Sequence, residues 1–167
     1  NMNANRLDML NNPSDGLRKE FTSQSKEFIT IRNFYDRIKT SSDGPQGDLT
    51  LIFSFMKMLD PTSVVRESEQ ATAADARGVP ESILTLFNRV QKGDKLGETQ
   101  RIKFREEAGR IFKTSVDNHS QLENEYTRIS KEKGVKPGQV IVDFRKRTTL
   151  NATQKKRLSE LRKKKGL

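Results

Sequence analysis

Between Leu49 and Leu59 the chain reads LTLIFSFMKML, and only Thr50, Ser54 and Lys57 in that run are polar. The three polar residues fall four and three apart, so on a helix they form one narrow stripe and every other face is apolar. A helix hydrophobic nearly all round is buried in a bundle or embedded in lipid. At about eleven residues the run falls well short of the roughly 20 that span a bilayer. The sequence therefore predicts a helix over 48–59 buried by other helices, with the rest of the chain arranged to cover it. Asp48 stands where a cap for the first turn is expected. Asp60-Pro61 closes the helix, because the residue before a proline is pushed out of the helical region.

The covering elements are read from periodicity. Residues 1–12 offer only Leu7, Met9 and Leu10 to bury and are expected to form an arm, followed by a break at Pro13-Ser14-Asp15-Gly16. Leu17, Phe21, Gln24, Phe28, Ile31, Tyr35 and Ile38 alternate by four and three, which predicts one helix over 17–38. Ser41 to Pro45 is a loop. After a turn at 61–66, the alanines at 71, 73, 74 and 76 favour helix but give little to bury. Pro80 suits the first turn of a helix whose apolar face is Ile83, Leu84, Leu86, Phe87 and Val90, with Gly93 as its C-terminal cap. Thr99 is placed to cap a long helix over 100–133, ended by Gly134. Ala108, Phe112, Ser115, His119, Leu122, Tyr126 and Ile129 again alternate by four and three along it. The two seamed helices are expected side by side, with the 48–59 helix between them and the 81–92 helix. After a turn at 135–139, Val140 to Phe144 is β-prone but has no partner strand in the sequence. It is expected to lie as extended chain on the bundle, the alternative being addition to a sheet edge of another subunit. A last helix is predicted over 151–165, with only Leu150, Leu158 and Leu161 as apolar residues.

Hydrophobic residues make up 32% of the 167, below the ordinary share of about 45–50%. Such a chain buries a modest core. The expected fold is all-α, an elongated helical bundle with a buried central helix and a basic C-terminal extension. It divides into an arm (1–16), a bundle (17–144) and a tail (145–167). The low apolar content and the polar residues in both seams suggest surfaces completed by neighbouring subunits. The absence of cysteine excludes disulfides, thiolate metal sites and a cysteine nucleophile. A single histidine excludes a multi-histidine metal site within one chain. NMNANRLDML lacks a basic region followed by a long apolar core, so no secretory signal is expected there, and Asn1 before Met2 reads as a tag remnant or an excised chain.

The net charge of +10 is concentrated at one end. Arg145, Lys146, Arg147, Lys155, Lys156, Arg157, Arg162, Lys163, Lys164 and Lys165 face one acid, Glu160, giving the tail +9 and the remaining residues +1. Cations at this density bind nucleic acid through backbone phosphates and counterion release, without sequence preference. No aromatic interrupts the tail, so base stacking is not expected. Docking onto an acidic protein surface is a second use. A solvated end with no partner is the plain alternative. Leu158 and Leu161 give too little apolar face for strong membrane insertion.

Catalytic constellations are weak. His119 lies on an apolar seam, with Asp117 and Asn118 pointing to other faces, and is expected to be a polar layer between helices. Glu67, Glu69 and Asp75 are acids without an aromatic platform for a sugar; they are read against a peptidoglycan-cleaving role. Glu67 with Arg66 reads as an ion pair anchoring the turn after Pro61. No phosphate loop is present, and Gly44-Pro45-Gln46-Gly47-Asp48 is a turn before a helix whose aspartate opposes an anion. No enzyme activity and no cofactor are expected.

DLTLIFSFMKMLDPTSVVRESE, the following VPESILTLFNRVQKG and the later GVKPGQVIVDF resemble tailed-bacteriophage virion proteins, over about residues 28–144. The kinds they resemble are helical structural proteins of the internal-virion, DNA-ejection or tail-associated type. The resemblance implies assembly with copies of itself and with other virion proteins, in the virion and, during assembly, in the host cytoplasm. It brings no catalytic residues.

Overall fold

The structure is a computed structural model that describes residues 13–68, 71, 72 and 74–145. Those residues form an all-α fold of six helices: α1 (Pro13–Gln24), α2 (Lys26–Thr40), α3 (Pro45–Leu59), α4 (Glu81–Gln91), α5 (Glu98–Glu132) and α6 (Pro137–Val140). No strand occurs among the described residues. The last helix predicted over 151–165 lies outside them.

The apolar helix is buried as expected. Leu51, Ile52, Phe53, Ser54, Phe55, Met56 and Met58 are all buried in α3. On one side Leu51, Ile52, Phe53 and Met56 pack with Leu84, Phe87 and Val90 of α4 and with Val65, Ala71, Ala76, Val79 and Leu96. On another, Phe55 and Met58 meet Ile31 and Ile38 of α2 and Ala108 of α5. So α3 sits between the α2–α5 pair and α4. A third cluster, Leu17, Phe21, Tyr126 and Val140, joins α1, α5 and α6 at the far end.

The polar stripe of α3 is covered by the loop 60–79, which makes no helix among its described residues despite its alanines. Thr50 Oγ1 donates to Glu67 Oε1 at 3.1 Å and Lys57 Nζ donates to the Ser63 carbonyl. Asp60 fastens both ends of the loop: one oxygen accepts from Thr62 N (3.1 Å) and Oγ1 (2.7 Å), the other from Gly78 N (3.2 Å). Asn88 of α4 closes two 2.8 Å hydrogen bonds with the backbone of Ala71. These side-chain bonds to the backbone, and the burial of Ala71 and Ala76, outweigh the small helical preference of alanine. Glu67 takes Arg37 as its ion-pair partner at 3.0 Å, not Arg66.

Several element boundaries differ from the sequence reading. The 17–38 helix is two, broken at Ser25, whose hydroxyl donates to the Phe21 carbonyl at 2.7 Å. A serine hydroxyl bonding back four residues competes with the helix's own backbone ladder. The buried seam runs one position later than read: Ser25 is buried and Gln24 is exposed, its amide donating to Tyr126 Oη at 3.0 Å. Pro13–Gly16, read as a break, form the first turn of α1, where proline's fixed φ fits. Thr99 is not the cap of α5; Gly97 is, with its N–H given to Gln100 Oε1 at 2.9 Å.

Asp48 does not cap α3 either. The helix begins at Pro45, and Asp48 is fully buried one turn in. It holds Arg101 of α5 in a two-point ion pair (Nε–Oδ1 2.5 Å, Nη2–Oδ2 2.9 Å) and accepts the Leu96 N–H at 3.0 Å. Gly93 and Gly134 end α4 and α5 in the left-handed region, at φ +107° and +67°.

Candidate functional site

The basic segment of the sequence begins at Arg145. Lys146, Arg147, Lys155, Lys156, Arg157, Arg162, Lys163, Lys164 and Lys165 lie outside the described residues, so its root is what the structure places. From Gly134 the chain turns back, forms α6 over Pro137–Val140 and continues extended through Ile141. Val140 is buried, while Ile141, Val142 and Phe144 are half-buried against Leu17, Phe21 and Tyr126. Of the β-prone segment, Val140 ends α6, and Ile141 to Phe144 pack as extended chain on the bundle.

Phe144 closes this strap over a polar layer in the α1–α2–α5 seam. Its ring stacks on Phe21 at 6.0 Å and meets His119 edge-on at 6.2 Å. Its carbonyl accepts from the Arg32 guanidinium of α2. Arg145 then donates to the Glu123 carboxylate and to Ser120 Oγ (3.1 Å), both on α5, and its N–H goes to Asp143 Oδ1 at 3.0 Å.

His119 lies under this closure, 3% exposed and stacked on Phe28 at 4.1 Å. Its Nε2 is 3.1 Å from Ser25 Oγ. Its Nδ1 is 3.3 Å from Glu123 Oε1 but makes no hydrogen bond. Burial holds the imidazole below its ordinary pKa; the Arg145 guanidinium adds to that and Asp143 opposes it. Burial raises the Glu123 carboxyl, Arg145 lowers it and Asp143 raises it, with a net rise. Burial on the same seam, with the Glu20 and Glu125 carboxylates nearby, pushes Tyr126 up to about 12.

Serine, histidine and glutamate in this order suggest a hydrolytic relay, but the bonds run otherwise. Ser25 is fully buried, its hydroxyl donates to Phe21 O, and its own N–H also goes to Phe21 O at 2.9 Å. Neither is free to attack a carbonyl or to hold an oxyanion. Glu123 is turned to Arg145 and does not orient the ring through a hydrogen bond. The arrangement is a polar layer that joins helices to the strap. Two of its members escaped the sequence reading. Glu123 is four residues after His119, on the same helical face. Ser25 is four after Phe21 and three before Phe28, a spacing as good as that of Gln24.

The open flank of the seam is a groove of about 410 Å³ lined by Phe28, Ile31, Met58, Ile111, His119 and Leu122, with a polar rim that includes Glu27 and Asn118. The acids considered for sugar chemistry are engaged elsewhere: Glu67 by Arg37 and Thr50, Asp75 by Thr72 N (3.2 Å) and Oγ1 (2.5 Å). Glu69 lies outside the described residues. Among the described residues no three of histidine, cysteine, aspartate and glutamate come together as a metal-holding group. No helix there is long and apolar enough to cross a membrane. Neither a family model, nor a curated protein, nor a solved structure matches this chain.

Proposed function

We propose that the chain is a non-enzymatic structural component of a tailed-bacteriophage virion, whose helical body assembles with copies of itself and with other virion proteins near the portal, tail or DNA-ejection apparatus. The basic tail contacts DNA backbone phosphates or a neighbouring virion protein. The observation that carries this reading is the division of charge: +9 in residues 145–167 against +1 in everything before them. A near-neutral body suits assembly, and a tail of cations suits a polyanion. The resemblance of residues 28–144 supplies the virion context. In an assembly of several copies the tails add, so weak phosphate contacts become an avid one.

The experiment is light scattering at two salt concentrations, with and without short duplex DNA, on the whole chain and on a chain ending at Phe144. A salt-resistant oligomer that survives the truncation, with DNA binding lost, supports the proposal. A salt-sensitive complex formed only with DNA favours a second reading, a stand-alone nucleic-acid-binding protein in which the body merely carries the tail. The same charge division favours that reading, since it needs no partner but nucleic acid.

A further inference from the structure

A guanidinium and an imidazole have one carboxylate between them. Arg145 holds Glu123 now. His119 Nδ1 stands 3.3 Å from the other oxygen of that carboxylate and makes no hydrogen bond. The Ser25 proton is committed to the Phe21 carbonyl, so Ser25 Oγ accepts from Nε2–H at 3.1 Å. That assigns the Nε2–H tautomer and leaves a lone pair on Nδ1 facing a carboxylate oxygen. Two acceptors in a buried layer repel, and a proton on Nδ1 removes the repulsion at once.

We propose that the strap 137–145 is a proton-sensitive clasp on the root of the basic tail, in which His119 and Arg145 compete for Glu123. Protonated His119 forms an ion pair with Glu123 and sets a second cation beside Arg145. Glu123 is then shared between two cations, one at each oxygen, the Arg145 contact weakens, and the strap lifts about the turn at Gly134. The linkage is reciprocal: anything that draws Arg145 away makes His119 easier to protonate.

The other charges around the imidazole do not alter this competition. From the strap Asp143 faces it, favours its protonation and already receives the Arg145 N–H. From α2, Glu27 sits on the rim of the open groove and Arg32 is engaged by Phe144 O. From α1, Glu20 reaches Tyr126. Met58 of α3 brings no charge. The competition for Glu123 is the same whatever the tail binds.

His119 is the one histidine in the sequence, so an NMR pH titration of the whole chain reads it alone. The expected results are an Nε2–H tautomer at neutral pH and loss of amide-exchange protection at Ile141, Phe144 and Arg145 in step with His119 protonation. Amides of Ile52 and Met56 in α3 keep their protection through that step. Arg145→Gln raises the His119 midpoint, and Arg145→Lys restores it toward the original value. The proposal is overturned by an unchanged midpoint in Arg145→Gln, by strap protection that stays flat while His119 titrates, or by joint loss of strap and α3 protection, which is global unfolding.

Discussion

Gly47 and Asp48 show how narrowly single residues fix this fold. A Cβ built on Gly47 would come 1.7 Å from the Ser42 carbonyl oxygen, a backbone atom that cannot swing aside. Gly47→Ala must therefore shift α3 against the loop before it, and it is expected to cost about 1–3 kcal/mol, the usual range for overpacking. Urea unfolding of the purified variant measures it; an unchanged midpoint contradicts the close approach. Asp48 is next in sequence, and its role is ionic. Burial opposes its ionisation, but the Arg101 side chain, the Leu96 N–H and the charges of Arg101 and Arg105 together hold its pKa below the ordinary carboxylate range. Its contribution is thus present above the unfolded-state pKa and is lost as pH falls through the lower folded value. Asp48→Ala leaves the Arg101 guanidinium and the Leu96 N–H without their shared acceptor in the α3–α5 contact, so a clear loss of stability is expected. Thermal unfolding across pH checks both statements: the wild type loses stability at acid pH where the variant, already lacking the carboxylate, loses less.

At the scale of elements, what was legible is what hydrophobic period encodes. The buried α3, the α4 face through Phe87, the α5 seam through His119 and its end at Gly134 all follow from spacing and from a glycine at positive φ. What was not legible depends on bonds between distant residues. No local signal shows that Asn88 will seize the backbone of Ala71, seventeen residues earlier, so helix-favouring alanines end in a loop. Nor does spacing choose between Gln24 and Ser25, because either continues the pattern and only the bond between Ser25 and His119 across the seam decides. Arg145 and Glu123, 22 residues apart, meet only because the chain turns back at Gly134. The loop is testable as a unit. Asn88→Ala removes both of its bonds to Ala71 and leaves the N–H and carbonyl of a buried residue unpaired, so a loss of about 1–3 kcal/mol is expected. Proteolysis should then cut within 61–79 first, while α3 and α5 remain protected. Equal protection of the loop in variant and wild type would show that its apolar residues alone hold it.

The whole molecule joins a body of nearly balanced charge to a tail that carries the excess. The tail's root is bound to three elements: Phe144 against Phe21 of α1, its carbonyl on Arg32 of α2, and Arg145 on Glu123 of α5. Such a root fixes where the cations start, and the sequence fixes how many follow. Binding of duplex DNA by the whole chain should then show the salt signature of phosphate contact. If the tail neutralises six to ten phosphates, affinity falls by about 10³–10⁵ between 50 and 200 mM salt. Arg145→Gln removes one cation and also detaches the root. It should lower the slope of log affinity against log salt by no more than about one contact, because the nine cations beyond it are untouched. A chain ending at Phe144 should lose the slope altogether, since the remaining residues carry only +1. Fluorescence anisotropy with a labelled duplex at four salt concentrations measures all three. A truncated chain that retains the full slope would place the phosphate contacts on the helical body. The tail would then be left for a protein surface.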